Sequence, residues 1–171
     1  MERDKRVYAA LVAAGLIIDL DSRILLVAKR GKLTLPTGHM DLEKDENLEE
    51  ALVREMKEEM KDENGQGINI RVLGSLGTVV RNKDTDKSKL IEIFRCVTDS
   101  RQIFFEEKGE TELVRVKIDE ALGIKNLDDL AREAITRLIS YLEGHIAFRR
   151  RNGGNHEEGT DFSDEQEANN Y

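Results

Sequence analysis

The chain has 171 residues, 39% of them apolar and 36% charged, with a net charge of −8. That length suffices for one domain with a substantial core. The negative charge argues against nucleic acid as the main partner, because the basic residues cluster only at Arg149-Arg150-Arg151. A single cysteine, Cys96, excludes an internal disulfide and any cysteine-based zinc site.

The first apolar run, Val7 to Ile18, follows a charged N-terminus. It is too short to span a bilayer. It continues through the polar Asp19-Leu20-Asp21-Ser22 into Arg23 to Ala28, and two β-rich runs joined by a polar turn predict a hairpin. The run therefore reads as a core strand rather than a signal peptide, and the protein as cytoplasmic, without a membrane partner. Leu48 to Met60 contains neither Gly nor Pro, and Leu48, Ala51, Leu52 and Met56 recur at helical spacing. Asn47 or Asp45 can cap this helix, with Glu49 and Glu50 in its first turn. Ile68 to Val80 is rich in β-branched residues, and Gly74 and Gly77 mark a bend or bulge. Arg81 to Lys89 reads as a charged loop, and Ile91 to Thr98 and Glu112 to Ile118 as strands. Cys96 falls in the first of these, where a buried core thiol is expected rather than a nucleophile. Asn126 is expected to cap a second helix, with Leu127, Leu130, Ala131, Ala134, Ile135, Leu138 and Leu142 on one stripe and Gly144 as its stop. The organisation expected is one domain, 1–148, and a disordered acidic tail, 149–171.

The most informative segment is Arg54-Glu55-Met56-Lys57-Glu58-Glu59. Its three glutamates are spaced i, i+3 and i+4, so a helix makes them neighbours. Glu55 and Glu59 also fall along the apolar stripe, where a carboxylate is costly unless it is paired or binds metal. Glu49, Lys57 and Lys61 point elsewhere and read as solvated charges. A charge run on a solvated face is the ordinary explanation in so charged a chain, but the position of Glu55 and Glu59 on the helix counts against it. A hard divalent cation among oxygen ligands accounts for the cluster. The segment therefore suggests a metal-dependent reaction on a phosphate compound.

These residues resemble the Nudix box: Gly, five residues, Glu, seven residues, Arg-Glu, an apolar residue, any residue, Glu-Glu, any residue, Gly and an apolar residue. Gly38, Glu46 and Arg54 to Glu59 supply its parts. Three departures are visible. Seven residues separate Gly38 from Glu46, Lys61 stands where the box closes with Gly, and Thr37 replaces the first Gly of the usual pair. Without the closing glycine, the helix is expected to continue to about Asp62, until Asn64-Gly65 ends it.

The resemblance covers roughly residues 6 to 145 and implies an α/β/α sandwich with a mixed central sheet (α/β, or α+β). It implies hydrolysis of a nucleoside diphosphate linked to another group, by attack of water on phosphorus, with Mg²⁺ or Mn²⁺ as cofactor and a nucleotide-like small molecule as partner. It implies Glu55 and Glu59 as metal ligands, Glu58 as ligand or base, and the Gly38 carbonyl as a further ligand. Arg54 is expected to pair with Glu46 and hold the loop on the helix, with Glu43 as the alternative if the insertion shifts the alignment. Arg30 and Lys32 are candidates for the substrate phosphates, weighed evenly against two solvated cations. Many relatives recruit another acid before the last strand. Glu106, Glu107, Glu110 and Glu112 occupy that region, with Glu110 or Glu112 favoured. His39 is expected to make structural or solvent contacts, and Tyr8 and Phe105 could equally stack a base or join the core. A homodimer is left open. Two other readings stand beside the hydrolase: a non-catalytic Nudix module that binds a nucleotide as a sensor, and an isopentenyl-diphosphate isomerase, for which Cys96 would have to be catalytic.

Overall fold

The structure, a computed structural model, describes residues 8–82, 88–105 and 112–152. Its centre is a mixed sheet. Strand β1 (Tyr8–Ile18) runs parallel to β7 (Ser88–Thr98), and β7 pairs antiparallel with β6 (Ile70–Asn82). On its other side β1 pairs with β2 (Arg23–Lys29) only at Ile17 and Ile18. There the two strands diverge, and the short β4 (Thr37–His39) pairs with β1 instead, setting Gly38 opposite Ala13. The predicted hairpin is therefore real but brief. Asp19 forms its turn, with Oδ1 accepting hydrogen bonds from the backbone N–H groups of Asp21 and Arg23. Strands β3 (Lys32–Thr34) and β9 (Glu112–Lys117) both pair with β2.

Burial on both faces explains the nearly continuous apolar runs of β1 and β2. Val12, Ala14, Leu16, Ile24, Leu26, Ile91 and Ile93 enter one core. It is covered by α3 (Asp129–Asn152), through Leu130, Ala131, Ala134, Ile135 and Leu138. Ala13, Ile17, Leu25, Val27, Phe94 and Cys96 enter the other core, covered by Leu52 and Met56 of α1 (Leu48–Glu59). Sheet between helices is the sandwich architecture that the sequence suggested. The glycine pair in β6 marks two register shifts, between Val72 and Gly74 and between Ser75 and Gly77. The Arg137 Nη1 group donates to the Leu76 carbonyl at 3.1 Å, tying the second bulge to α3.

Several expectations about the elements need correction. Helix α1 ends at Glu59 rather than continuing to Asp62. Met60 is extended (φ −113°, ψ 131°) and wholly buried, and it starts β5 (Met60–Asp62), which pairs with β8 (Ile103–Phe105). Burying a methionine and gaining a ladder outweigh one more helical turn, so no closing glycine is needed. Asn126 is not the cap of α3. Its side chain donates to the Gly31 carbonyl, and Asp128 Oδ1 accepts from the Ala131 N–H at 2.8 Å, as a capping residue does. The helix also passes Gly144 and reaches Asn152, because a helical glycine costs only about 1 kcal/mol and does not break the hydrogen-bond ladder. Residues 149–152, expected in the tail, are thus helical; 153–171 lie outside the described residues. The strands β3, β4, β5 and β8 and the short helix α2 (Ile118–Ala121) left no readable periodicity, since four residues or fewer carry almost none. By contact density the chain divides into two units, Met1–Ile139 and Ser140–Tyr171, and the boundary expected at 148 lies within α3.

Candidate active site

The loop after β4 and the helix α1 build the site together. Asn47 caps α1, its side chain accepting from the Glu50 N–H at 2.9 Å. Ala51, Leu52 and Met56 face inward. That orientation turns Glu55 toward Gly38, so closely that a Cβ on Gly38 would lie 2.7 Å from Glu55 Cγ and 3.0 Å from the Ala51 carbonyl oxygen. Glycine is needed here for space. Gly38→Ala is expected to push β4 off α1, lowering the melting temperature by several degrees and activity by about tenfold or more. Thermal melts and initial rates check this, and an unchanged melt would refute the close approach.

Arg54 is the hub. Its Nε and Nη2 grip the two carboxylate oxygens of Asp45 at 2.9 and 2.8 Å. Nη2 also donates to the His39 carbonyl, at 3.1 Å. Nη1 reaches Glu55 at 2.8 Å and Glu58 at 3.4 Å. A forked guanidinium meeting both oxygens of one carboxylate is a strong, directional pair. The expected pair between Arg54 and Glu46 does not form. Glu46 is exposed and its backbone N–H donates to Glu50 Oε2. Asp45 takes the partner's place because the inserted loop closes on itself. The Lys44 and Asp45 N–H groups both donate to the Asp41 carbonyl, and Asp41 N–H donates to Asp45 Oδ2. This turn aims Asp45 inward and Glu46 out. Glu43, the alternative partner, is exposed on the same turn.

The pair perturbs both titrations. Hydrogen bonds from Arg54, then from the Asp41 N–H, lower the Asp45 carboxyl from 3.8 to about 2. The guanidinium of Arg54 is held still more firmly protonated by Asp45 and, after it, Glu55. Because the folded state favours ionised Asp45, its contribution is complete above the unfolded value and is lost as the pH falls from about 4 toward 2. The stability difference between wild type and Asp45→Asn is therefore expected to stay constant from about pH 7 to 5 and to narrow below about pH 4. Denaturant melts across that range test it, and a gap that widens in acid would contradict the pairing.

The glutamates differ in exposure. The side chain of Glu58 is 58% exposed and that of Glu55 21%. Glu59 is half-buried. Among the described residues no three His, Cys, Asp or Glu side chains converge on one metal-sized point. Instead Arg54 Nη1 draws Glu55 and Glu58 together. Two depressions adjoin Arg54. One, of about 600 Å³, is lined by His39, Met40, Leu42, Glu55 and Glu58 among others. The second, of about 650 Å³, lies along α1.

A profile of the NUDIX domain matches residues 9–138. The chain belongs to the Nudix family. No curated protein sequence matches it significantly. Among solved structures, the MutT protein of Methanosarcina mazei Go1 is similar at 22% identity and a TM-score of 0.63, over 78% of this chain and 95% of the other. The Nudix domain of Shewanella oneidensis NrtR, solved with ADP ribose, is similar at 18% identity and a TM-score of 0.60, over 82% and 94%. A Caenorhabditis elegans Ap4A hydrolase is similar at 16% identity and a TM-score of 0.58, over 80% and 99%. Identities this low speak for the fold. As a Nudix protein the chain is a hydrolase of phosphorus-containing anhydrides.

The other residues singled out from the sequence fall into distinct places in this Nudix fold. Arg30 and Lys32 flank Gly31 in the tight turn between β2 and β3, where Arg30 (φ 52°) and Gly31 (φ 75°) both take left-handed backbone. Both side chains are exposed and neither lines the depressions beside Arg54. Glu112 is exposed at the start of β9, paired with Ala28. Glu106, Glu107 and Glu110 lie outside the described residues, as does the side chain of Tyr8. Phe105 is half-buried against the core beneath α1. Cys96 is fully buried there, and its burial, with the Glu49 carboxylate second, pushes its thiol up to about 12. Such a thiol is neither accessible nor ionised at neutral pH, which removes the basis for the isomerase reading. His39 is exposed at the rim of the first depression. Asp45 is the residue that sequence reasoning misplaced: its only signal was an acid adjoining Glu46 in a loop of altered length.

Proposed function

We propose that this Nudix hydrolase cleaves a nucleoside diphosphate linked to another group, in a reaction that depends on Mg²⁺ or Mn²⁺. The observation that carries the reading is the convergence of Glu55, Glu58 and Arg54 beside Gly38 in the wall of one depression. Nudix hydrolases generally use divalent metals. The donors for such a cation would be the carboxylates of Glu55, Glu58 and Glu59 and the Gly38 carbonyl, a hard-ligand set by type. They would have to draw together around the ion, since among the described residues no three of these acids converge on one point. Such a cation, when bound, supplies charge neutralisation at the pyrophosphate and Lewis acidity.

The chain's own residues do the rest. Water adds to phosphorus in line, the P–O bond to the leaving phosphate breaks, and the water proton passes to a carboxylate. Glu58, exposed and only loosely held by Arg54, is the base we favour; Glu55 is the second choice. Arg54 orients Glu55 through Nη1 while its other nitrogens are fixed by Asp45 and His39. The loop carrying Gly38 is thereby clamped to the helix that carries the acids. We do not assign Arg30 and Lys32 to phosphate binding, and Glu112 is kept only as a candidate substrate contact. The test is phosphate release, after a coupled phosphatase, across a panel of nucleoside diphosphate derivatives with and without Mg²⁺ or Mn²⁺. Metal-dependent turnover is expected. A nucleotide that raises the melting temperature without being turned over would replace this reading with a binding module.

A further inference from the structure

Among the described residues, the Asp45 carboxylate has two hydrogen-bond partners. One is the forked guanidinium of Arg54, at 2.9 and 2.8 Å; the other is the Asp41 N–H, at 2.8 Å on Oδ2. Asp41 also closes the turn that leads to Asp45. Its carbonyl oxygen accepts from the Lys44 N–H at 2.9 Å and from the Asp45 N–H at 2.8 Å. Its carboxylate works on the same turn: Oδ1 accepts from the Glu43 N–H at 3.1 Å, and Oδ2 lies 3.4 Å from Lys44 Nζ. Aspartate suits this place because its short side chain reaches the backbone N–H two residues on. One residue thus uses its N–H, its carbonyl and both carboxylate oxygens to shape a turn that lies where the chain is longer than the Nudix pattern.

Packing does not hold this turn. Leu42 is 80% exposed, and Glu43 and Lys44 are exposed. The ion pair between Asp41 and Lys44 is itself solvent-facing and contributes little to stability. Hydrogen bonds to Asp41 therefore set the turn's geometry. That geometry reaches the acids along one path. The guanidinium of Arg54 is planar and rigid, so the direction imposed on Nε and Nη2 by Asp45 also sets Nη1. Nη1 in turn holds Glu55 at 2.8 Å and Glu58 at 3.4 Å.

We propose that Asp41 is a positioning residue of the active site. Its carboxylate closes the turn that aims Asp45, and through Asp45 it fixes the Arg54 orientation that directs Glu55 and Glu58. The consequence for turnover rests on the hydrolase reading above. Asp41 also stands in the wall of the first depression, so the competing role is direct contact with substrate, which would act on KM.

Asp41→Ala and Asp41→Asn, each in the full chain, separate these roles. Asparagine keeps an Oδ1 acceptor for the Glu43 N–H but carries no charge; alanine has neither. Asp41→Ala is expected to lower kcat by about tenfold, with KM within about twofold and the melting temperature within a degree or two of wild type. Asp41→Asn is expected to recover at least about half of the wild-type kcat. The Arg54 Nε–H resonance, followed by NMR of arginine-labelled protein, gives a reading independent of turnover. It is expected to shift in Asp41→Ala and to keep its wild-type position in Asp41→Asn. A raised KM with unchanged kcat would make Asp41 a substrate contact and overturn the proposal. So would an asparagine variant as impaired as the alanine one, or an Arg54 resonance that alanine leaves unmoved. If the wild type turns over no substrate with either metal, the hydrolase reading fails, and the resonance by itself decides whether Asp41 positions Arg54.

Discussion

Glu58→Gln is expected to lower metal-dependent turnover by about a hundredfold or more while leaving the melting temperature within a degree or two of wild type. The two halves of that expectation come from the same geometry. Glu58 is exposed, and its contact with Arg54 is long, at 3.4 Å, so little folding energy depends on its charge. Yet it stands at the junction of both depressions, where a carboxylate can take a proton or hold a cation. Glutamine keeps the shape and removes both capacities. Initial rates with Mg²⁺, set beside a thermal melt, decide the matter. Unchanged turnover would remove Glu58 from the mechanism and make Glu55 the next base to test.

Arg54→Met is expected to affect folding and catalysis together. The Asp45 side chain is 2% exposed and its carboxylate is charged, so losing the guanidinium leaves a buried anion that keeps, among the described residues, the Asp41 N–H as a hydrogen-bond donor and the Lys44 charge nearby. A fall in melting temperature of about 5 to 10 °C is expected. Turnover should fall by about a hundredfold or more, since Glu55 loses its orientation and the His39 carbonyl its donor. The comparison that isolates the cause is Glu46→Gln, expected to be nearly silent in both measurements because Glu46 is exposed and bonded through its backbone. If Glu46→Gln were the more damaging change, the assignment of Asp45 as the partner of Arg54 would fail.

That assignment shows where sequence reading stops. The helix from Leu48 was legible because its apolar stripe, cap residues and lack of Gly or Pro all agreed, and the structure starts it at Leu48. The central strands were legible because each face of the sheet is buried, which leaves long apolar runs with few competing interpretations. The bulges at Gly74 and Gly77 were legible because glycine inside a β-rich run has few other uses. Helix ends were not. Met60 leaves α1 to fill a core position and pair with Phe105, and Asp128 rather than Asn126 caps α3 because Asn126 is used to hold Gly31. These choices are settled by partners 45 and 95 positions away in the chain, Phe105 for Met60 and Gly31 for Asn126, to which local propensity is blind.

The family, the sandwich and the acid cluster were thus determined by the sequence itself, because Arg54 and the three glutamates carry their spacing within one helix and need no distant partner to be recognised. Tertiary structure alone decided which acid anchors Arg54. Glu46 has the regular spacing, but the turn closed on Asp41 rotates Asp45 toward the guanidinium and Glu46 toward water. It also decided that Arg30 and Lys32 stand apart from the depressions beside Arg54, and that Leu42 stands at the rim of one. Spacing along a regular helix fixes direction by its period; direction in a loop is set by the hydrogen bonds that close it, and those exist only in the fold.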